Sequence, residues 1–278
     1  MMREGAVRWL SPIGFFTMRW WEWGPADGAP VICVHGLTRS GRDFDTLAQA
    51  LADAGRRVIC PDLPGRGASD WLPDPMLYQP PTYITALSHL LARIDGPVDW
   101  VGTSLGGICG MALAATPGQP IRRLVLNDIG AFVPREAMAR IRDYMGHEPV
   151  FPDLTTLEAH LREVHAPFGP LTDAQWRHLA ETSARRADHG VALHYDPGIS
   201  APILSQEAQA LDMTALWSAV RLPVLVIRGA HSDILLPDTA AEMAARPNVR
   251  LAEVPQAGHA PALMDPAQIA LVAGFLGE

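Results

Sequence analysis

The chain is poor in several features that would assign it a class at once. Of 278 residues only three are cysteines, Cys33, Cys60 and Cys109. The count is odd and no C-x-x-C occurs, and the cysteines read as buried thiols in a reducing compartment. Charged residues make up 19% and hydrophobic residues 48%. That balance excludes a disordered chain and suits a large buried core. No apolar run reaches the length of a membrane span, and Pro12 interrupts the N-terminal stretch before a signal region can form. No block of basic residues stands out, and the net charge is −8. Nucleic acid and anionic membrane are therefore not expected as partners, and a cytoplasmic location is. No H-E-x-x-H, P-loop or G-x-G-x-x-G appears, so metalloprotease, NTPase and dinucleotide-binding readings have no support.

What is present is alternation of two periods. "APVICVHG", "RRVICPD", "PVDWVG" and "IRRLVLNDIG" are short apolar runs that read as buried strands. Helical patterns separate them, among them "DFDTLAQALADAG" and "PTYITALSHLLARID". This is an α/β chain with a parallel sheet covered on both faces. "WWEWGPADGAP" adds an edge hairpin strand, with Trp20, Trp21 and Trp23 as packing residues. From residue 131 to 217 the pattern turns helical and charged, with no buried-strand run. "LPVLVIRGAHSD" and "VRLAEVPQAGH" then resume it, and Asp265–Pro266 fit the N-cap and first position of a last helix. The expected organisation is a core of residues 1–130 and 218–278 carrying a helical cap at 131–217.

The chemistry centres on "WVGTSLGGICG". Gly102-Thr103-Ser104-Leu105-Gly106 matches G-x-S-x-G between a strand and a helix, the setting that motif requires. A serine on so sharp a turn is raised at the carboxyl edge of the sheet, beside the free N–H groups of a helix start. Its hydroxyl is a weak nucleophile and needs a base. His259, in "QAGHAP" after the last strand, is the best placed of ten histidines. His147, His160, His165, His178, His189 and His194 fall in the insertion, most of them expected on the surface. His35 fits a turn that supports an oxyanion. The imidazole needs a carboxylate partner. Asp233, in "RGAHSDIL", follows a strand and is favoured, and Asp128, in "LNDIG", is the alternative. Backbone N–H groups of Leu105 and Leu37 are the candidate oxyanion donors. Phe44, Trp176 and Trp217 are candidates for an apolar pocket, as are Trp71, Phe168 and Tyr195, although core packing explains any one of them. Arg39 is a candidate to grip an acidic substrate, whereas Arg66 is expected to tie loops together.

"VHGLTRSGRDF", "PDLPGRGAS", "GTSLGG", "RGAHSD" and "GHAP", in that order, resemble the α/β-hydrolase superfamily over nearly the whole chain outside the insertion. The resemblance implies an eight-stranded, mostly parallel sheet, a lid at the position of the insertion, and neither metal nor organic cofactor. It also implies acyl transfer to water with Ser104, Asp233 and His259 in that chain order. Serine at the elbow argues against haloalkane dehalogenases and epoxide hydrolases, which carry a carboxylate there. The H-G-G-G loop of some lipases is absent. The general pattern is similar to bacterial carboxylesterases acting on small to medium esters. The same machinery serves carbon–carbon bond hydrolases, lactonases, thioesterases and cofactor-free haloperoxidases, and a non-catalytic ligand-binding protein of the same fold is a third reading. The expected partner is a small-molecule ester, with homo-oligomers also compatible.

Overall fold

The structure is a computed structural model that describes residues 2–146 and 149–278; His147 lies outside the described residues. In chain order the first half contains β1 (Arg3–Ser11), β2 (Gly14–Trp23), β3 (Pro30–Val34), α1 (Asp45–Asp53), β4 (Arg57–Pro61), α2 (Pro80–Leu91), β5 (Val98–Thr103), α3 (Leu105–Ala114) and β6 (Ile121–Asn127). Next come β7 (Phe132–Val133), α4 (Arg135–Tyr144), α5 (Leu154–Val164), α6 (Asp173–Ser183), β8 (Ala184–Ala187), β9 (Gly190–Leu193), α7 (Ala201–Leu204), β10 (Leu211–Asp212) and α8 (Thr214–Ala219). The chain closes with β11 (Val224–Gly229), α9 (Pro237–Ala244), β12 (Val249–Val254) and α10 (Pro266–Gly277).

Eight strands form one sheet in the order β1-β2-β4-β3-β5-β6-β11-β12. Strand β2 runs antiparallel to both of its neighbours, and the remaining pairs are parallel. The period-2 alternation of the central strands sorts their side chains into two cores. Ile32, Val34, Trp100, Leu124, Leu126, Val224 and Val226 face one layer, packed against α2 and α3 through Leu87 and Cys109. Val31, Cys33, Val101, Val125, Leu225 and Ile227 face the other, packed against α1 and α10 through Leu47, Leu51, Val272 and Phe275. Because both faces are covered, these strands read as continuous apolar runs, and the hairpin β1–β2 alternates instead. The three cysteines are free and buried. Trp20 and Trp23 are buried, while Trp21 is half-buried and donates its indole N–H to Asp62 at 3.2 Å. The carboxylate of Asp265 caps α10, accepting from Ala267 N at 2.8 Å.

Between β6 and β11 the chain is mostly helical, with two differences from the sequence pattern: β7 and β10 pair antiparallel at the ends of the segment, and a hairpin forms within it. The helical run starting at Asp173 stops at Ser183, and the following residues pair with Gly190–Leu193 as a β-hairpin. Gly190 makes this turn possible. It has a φ of +128°, and a Cβ there would lie 2.0 Å from the Phe151 carbonyl oxygen. A third apolar cluster, built on Leu157, Leu161, Trp176 and Leu179, holds this region together. No described helix is long and apolar enough to cross a membrane.

Gly106 is among the tightest points of the core. A Cβ there would sit 2.0 Å from the Val34 carbonyl oxygen, a backbone atom that cannot swing away. Gly106→Ala is expected to lower the unfolding free energy by about 1–3 kcal/mol despite the better helix propensity of alanine. Gly274 is the internal control, since it lies within α10 with nothing within 4 Å of the added methyl. Gly274→Ala should raise stability by about 0.5–1 kcal/mol. Urea unfolding of the two variants beside the parent measures both signs.

Candidate active site

Ser104 stands between β5 and α3 with φ 51° and ψ −113°. This conformation costs a non-glycine residue of order 1–3 kcal/mol and persists only where the surroundings enforce it. The enforcement is visible. The Ser104 N–H donates to Asn127 O at 3.0 Å, and its carbonyl accepts from Gly107 N and Ile108 N at 2.9 and 3.0 Å. Asp128, Ala260 and Leu263 are the other described non-glycine residues with positive φ. All four lie in the turns that follow β5, β6 and β12, so backbone strain is concentrated at one edge of the sheet.

These turns assemble a hydrogen-bonded chain. His259 Nε2 lies 3.1 Å from Ser104 Oγ, and His259 Nδ1 lies 2.7 Å from Asp128 Oδ2. Asp128 is fully buried. Its Oδ1 accepts from Gly229 N at 2.8 Å, and its Oδ2 also accepts from the Ser232 hydroxyl at 2.6 Å. Asn127 anchors the histidine loop by donating from Nδ2 to Pro261 O at 2.8 Å.

The acid favoured from sequence, Asp233, lies elsewhere. Its side chain is 49% exposed and its carboxylate accepts from Arg140, with Nη2 at 2.9 Å. The turn after β11 points Ser232 inward to the buried carboxylate and so leaves its neighbour Asp233 facing outward. Asp128, one strand earlier, occupies the place beside His259. Ser232 escaped the sequence reading. Its position two residues beyond Ala230, where the chain must turn, is the signal that could have raised it.

The turn after β3 lies against Ser104, for a Cβ built on Gly36 would be 3.7 Å from Ser104 Cβ. His35 braces this turn from inside. Its Nδ1 donates to Gly36 O at 2.7 Å and its Nε2 accepts from Leu63 N at 3.0 Å. Burial pushes the His35 pKa down to about 3, so the ring is neutral and can play both parts. Arg66 is fully buried and donates from Nε to Leu37 O at 2.9 Å and from Nη1 to Tyr83 Oη at 2.8 Å. It ties loops together. Leu37 and Leu105 both border the cavity in front of Ser104. Leu105 is the first residue of α3, where an N–H has no carbonyl one turn back to bond.

That cavity has a volume of about 1230 Å³ and is walled by the sheet edge below and by residues drawn from 133–144 and 149–211 above. Phe44, Phe168 and Tyr195 line it, and so do His160 and His165, two of the insertion histidines expected on the surface. Trp176 and Trp217 do not. Trp176 is buried in the cluster around Leu157, and Trp217 is buried in the larger core with Arg246 4.7 Å from its ring centre. Trp71 is 41% exposed, beneath the Arg185 guanidinium. Bulk and apolarity marked these three tryptophans, but packing claimed two of them and a surface cation the third. Among the described residues no three His, Cys, Asp or Glu side chains come together as metal ligands.

A sequence model of the alpha/beta hydrolase family matches residues 31–271. The chain belongs to the α/β-hydrolase family. It is 45% identical to a 3-hydroxybutyrate-oligomer hydrolase of Cupriavidus necator, over 98% of this chain and 97% of that protein. Among solved structures it is similar to an alpha/beta hydrolase from Novosphingobium aromaticivorans, with 39% identity, a TM-score of 0.87, and coverage of 100% and 99% of the two chains. It is also similar to a protein from Rickettsia typhi, with 30% identity, a TM-score of 0.91, and the same coverage. The chain is accordingly a hydrolase, with the eight-stranded, mostly parallel sheet of that family.

Proposed function

We propose that the protein is a serine carboxylesterase working through an acyl-enzyme on Ser104, and that oligoesters of 3-hydroxybutyrate are among its substrates. The observation that carries this reading is His259, held between Ser104 Oγ and the buried Asp128 carboxylate. As Ser104 Oγ attacks the ester carbonyl carbon, His259 Nε2 takes its proton. The imidazolium that forms faces Asp128, which performs the task the sequence suggested for Asp233. The carbonyl oxygen, now negative, is held by the N–H groups of Leu37 and Leu105. The intermediate collapses, and His259 returns its proton to the departing alkoxide. Water then repeats the cycle on the acyl-enzyme, releasing the acid and restoring Ser104.

The substrate class draws support from the relative named as a 3-hydroxybutyrate-oligomer hydrolase and from the size of the cavity. At about 1230 Å³ it exceeds the usual range for one small ligand, about 300–1,000 Å³, and has room for several linked hydroxyacid units. The purified protein should release p-nitrophenol from p-nitrophenyl butyrate and 3-hydroxybutyrate from its linear dimer and trimer. Diethyl p-nitrophenyl phosphate should stop both activities while adding one diethylphosphoryl group, mapped to Ser104 by peptide mass. Hydrolysis that survives stoichiometric labelling, or a label on another residue, rules this mechanism out.

A further inference from the structure

One wall of the cavity carries a donor and an acceptor that the esterase chemistry above does not use. Arg39 closes the turn against Ser104, its N–H donating to Gly36 O at 3.3 Å. Its guanidinium is held by Asp43, which accepts from Nε at 2.7 Å and from Nη2 at 2.8 Å. Nη1 is left facing His165 Nε2 at 3.4 Å. His165 stacks on Phe168, ring centres 4.6 Å apart. The segment that carries both rings is fastened on each side of His259, by Gly258 N to Pro167 O at 2.8 Å and by Ala262 N to Phe168 O at 3.2 Å. Arg39 thus hangs from the turn beside the nucleophile, and His165 from a strap on the loop of the base.

The two groups differ in what they can bind. A guanidinium only donates, and a neutral imidazole nitrogen facing it only accepts. Desolvation, with Arg39 adding its charge, holds the His165 pKa well below the ordinary histidine range, so the ring is neutral, and the Arg39 donor facing Nε2 favours the tautomer with its lone pair there. The 3.4 Å separation is long for a hydrogen bond, whose usual N···O or N···N span is about 2.9–3.0 Å. A hydroxyl on the cavity side of this long contact, with the two nitrogens parted to about 4.5 Å, accepts from Arg39 Nη1 and donates to His165 Nε2 at once. A carboxylate can only accept. It would leave His165 Nε2 facing another lone pair, and Asp43 already offsets the charge of Arg39. This wall is therefore suited to a neutral alcohol rather than to the acidic group that Arg39 alone suggests.

We propose that Arg39 and His165 bind the free 3-hydroxyl of the acyl group and make the enzyme selective for 3-hydroxyacyl esters. The inference rests on the esterase reading, with Ser104 attacking the acyl carbon beside this wall. It also sets the direction of attack on an oligoester. Only the unit at the hydroxyl end carries a free 3-hydroxyl, so units leave from that end.

The test compares kcat/KM for ethyl butyrate, the two enantiomers of ethyl 3-hydroxybutyrate and ethyl hydrogen succinate, each followed by pH-stat. One enantiomer of the 3-hydroxy ester should exceed ethyl butyrate by about tenfold, the effect of one well-made hydrogen-bonded hydroxyl. In His165→Phe that preference should fall to about unity, and in His165→Gln, whose amide oxygen still accepts, part of it should return. The preference is a ratio measured within one protein, so a reduced active fraction leaves it unmoved. Equal rates on butyrate and both 3-hydroxy esters overturn the inference while leaving the esterase reading intact. So does a preference that survives in His165→Phe, or faster hydrolysis of ethyl hydrogen succinate than of either 3-hydroxy ester. Failure to hydrolyse any of the four esters overturns both.

Discussion

Ser104→Ala is expected to lower kcat on p-nitrophenyl butyrate by about 10⁶-fold, the scale seen when a serine nucleophile is removed from such a unit. The fold should survive the change. Ser104 Oγ makes its described contact with His259 Nε2, whereas the turn itself is held by backbone bonds to Asn127, Gly107 and Ile108. Alanine at a φ of 51° carries the same backbone cost as serine, so the melting temperature should stay close to that of the parent. Burst kinetics give a second readout. The parent should show a burst of p-nitrophenol equal to the enzyme concentration if deacylation is slower than acylation, and Ser104→Ala should show none. Undiminished turnover by this variant would remove the nucleophile and with it the acyl-enzyme.

The same elbow explains why much of the fold was legible beforehand. Strands covered on both faces have no choice but continuous apolar sequence, so Pro30–Val34, Val98–Thr103, Ile121–Asn127 and Val224–Gly229 announce themselves. Motifs lying just after such strands must share one edge of the sheet. This is why sequence alone assigns Ser104 and His259, 155 residues apart, to one place, and why the structure finds Ser104 Oγ and His259 Nε2 3.1 Å apart. What periodicity does not carry is the path of a turn. Asp128 and Asp233 both follow buried strands, and β6 and β11 are neighbours in the sheet. Which carboxylate enters the site depends on a positive φ at Asp128 and on Ser232, not Asp233, pointing inward after β11. The cavity wall was hidden for a related reason. Arg39 and His165 are 126 residues apart and meet only because the segment around Pro167 docks on the histidine loop. Sequence marks Arg39 as a candidate to grip an acidic substrate, but His165 looks like a surface residue until that docking is known. The β8–β9 hairpin was likewise masked by helix-favouring alanine and arginine, overridden by the turn at Gly190.

The choice between the two aspartates has the larger mechanistic consequence. Asp128→Asn is expected to reduce kcat by about 10⁴-fold, as loss of the orienting carboxylate does in serine hydrolases generally. Asp128 accepts three hydrogen bonds shorter than 3 Å, from Gly229 N, Ser232 Oγ and His259 Nδ1. An asparagine oxygen can still take the Gly229 N–H. Its amide nitrogen then faces Ser232 and His259 and can only donate. His259 Nδ1 must become the acceptor, and the proton moves to Nε2, the atom required to take one from Ser104. The variant therefore keeps its serine and its fold but presents the wrong tautomer. Raising the pH will not restore the rate, because deprotonating the imidazolium does not move the neutral ring's proton back to Nδ1. Asp233→Asn breaks a half-exposed pair with Arg140 instead. Such pairs contribute about 0–1 kcal/mol to stability, and kcat should remain within about twofold of the parent. Steady-state kinetics on p-nitrophenyl butyrate, with thermal melts to confirm folding, separate the two cases by several orders of magnitude. A larger loss at Asp233 than at Asp128 would return the orienting role to the loop after β11 and require that loop to swing inward when substrate binds.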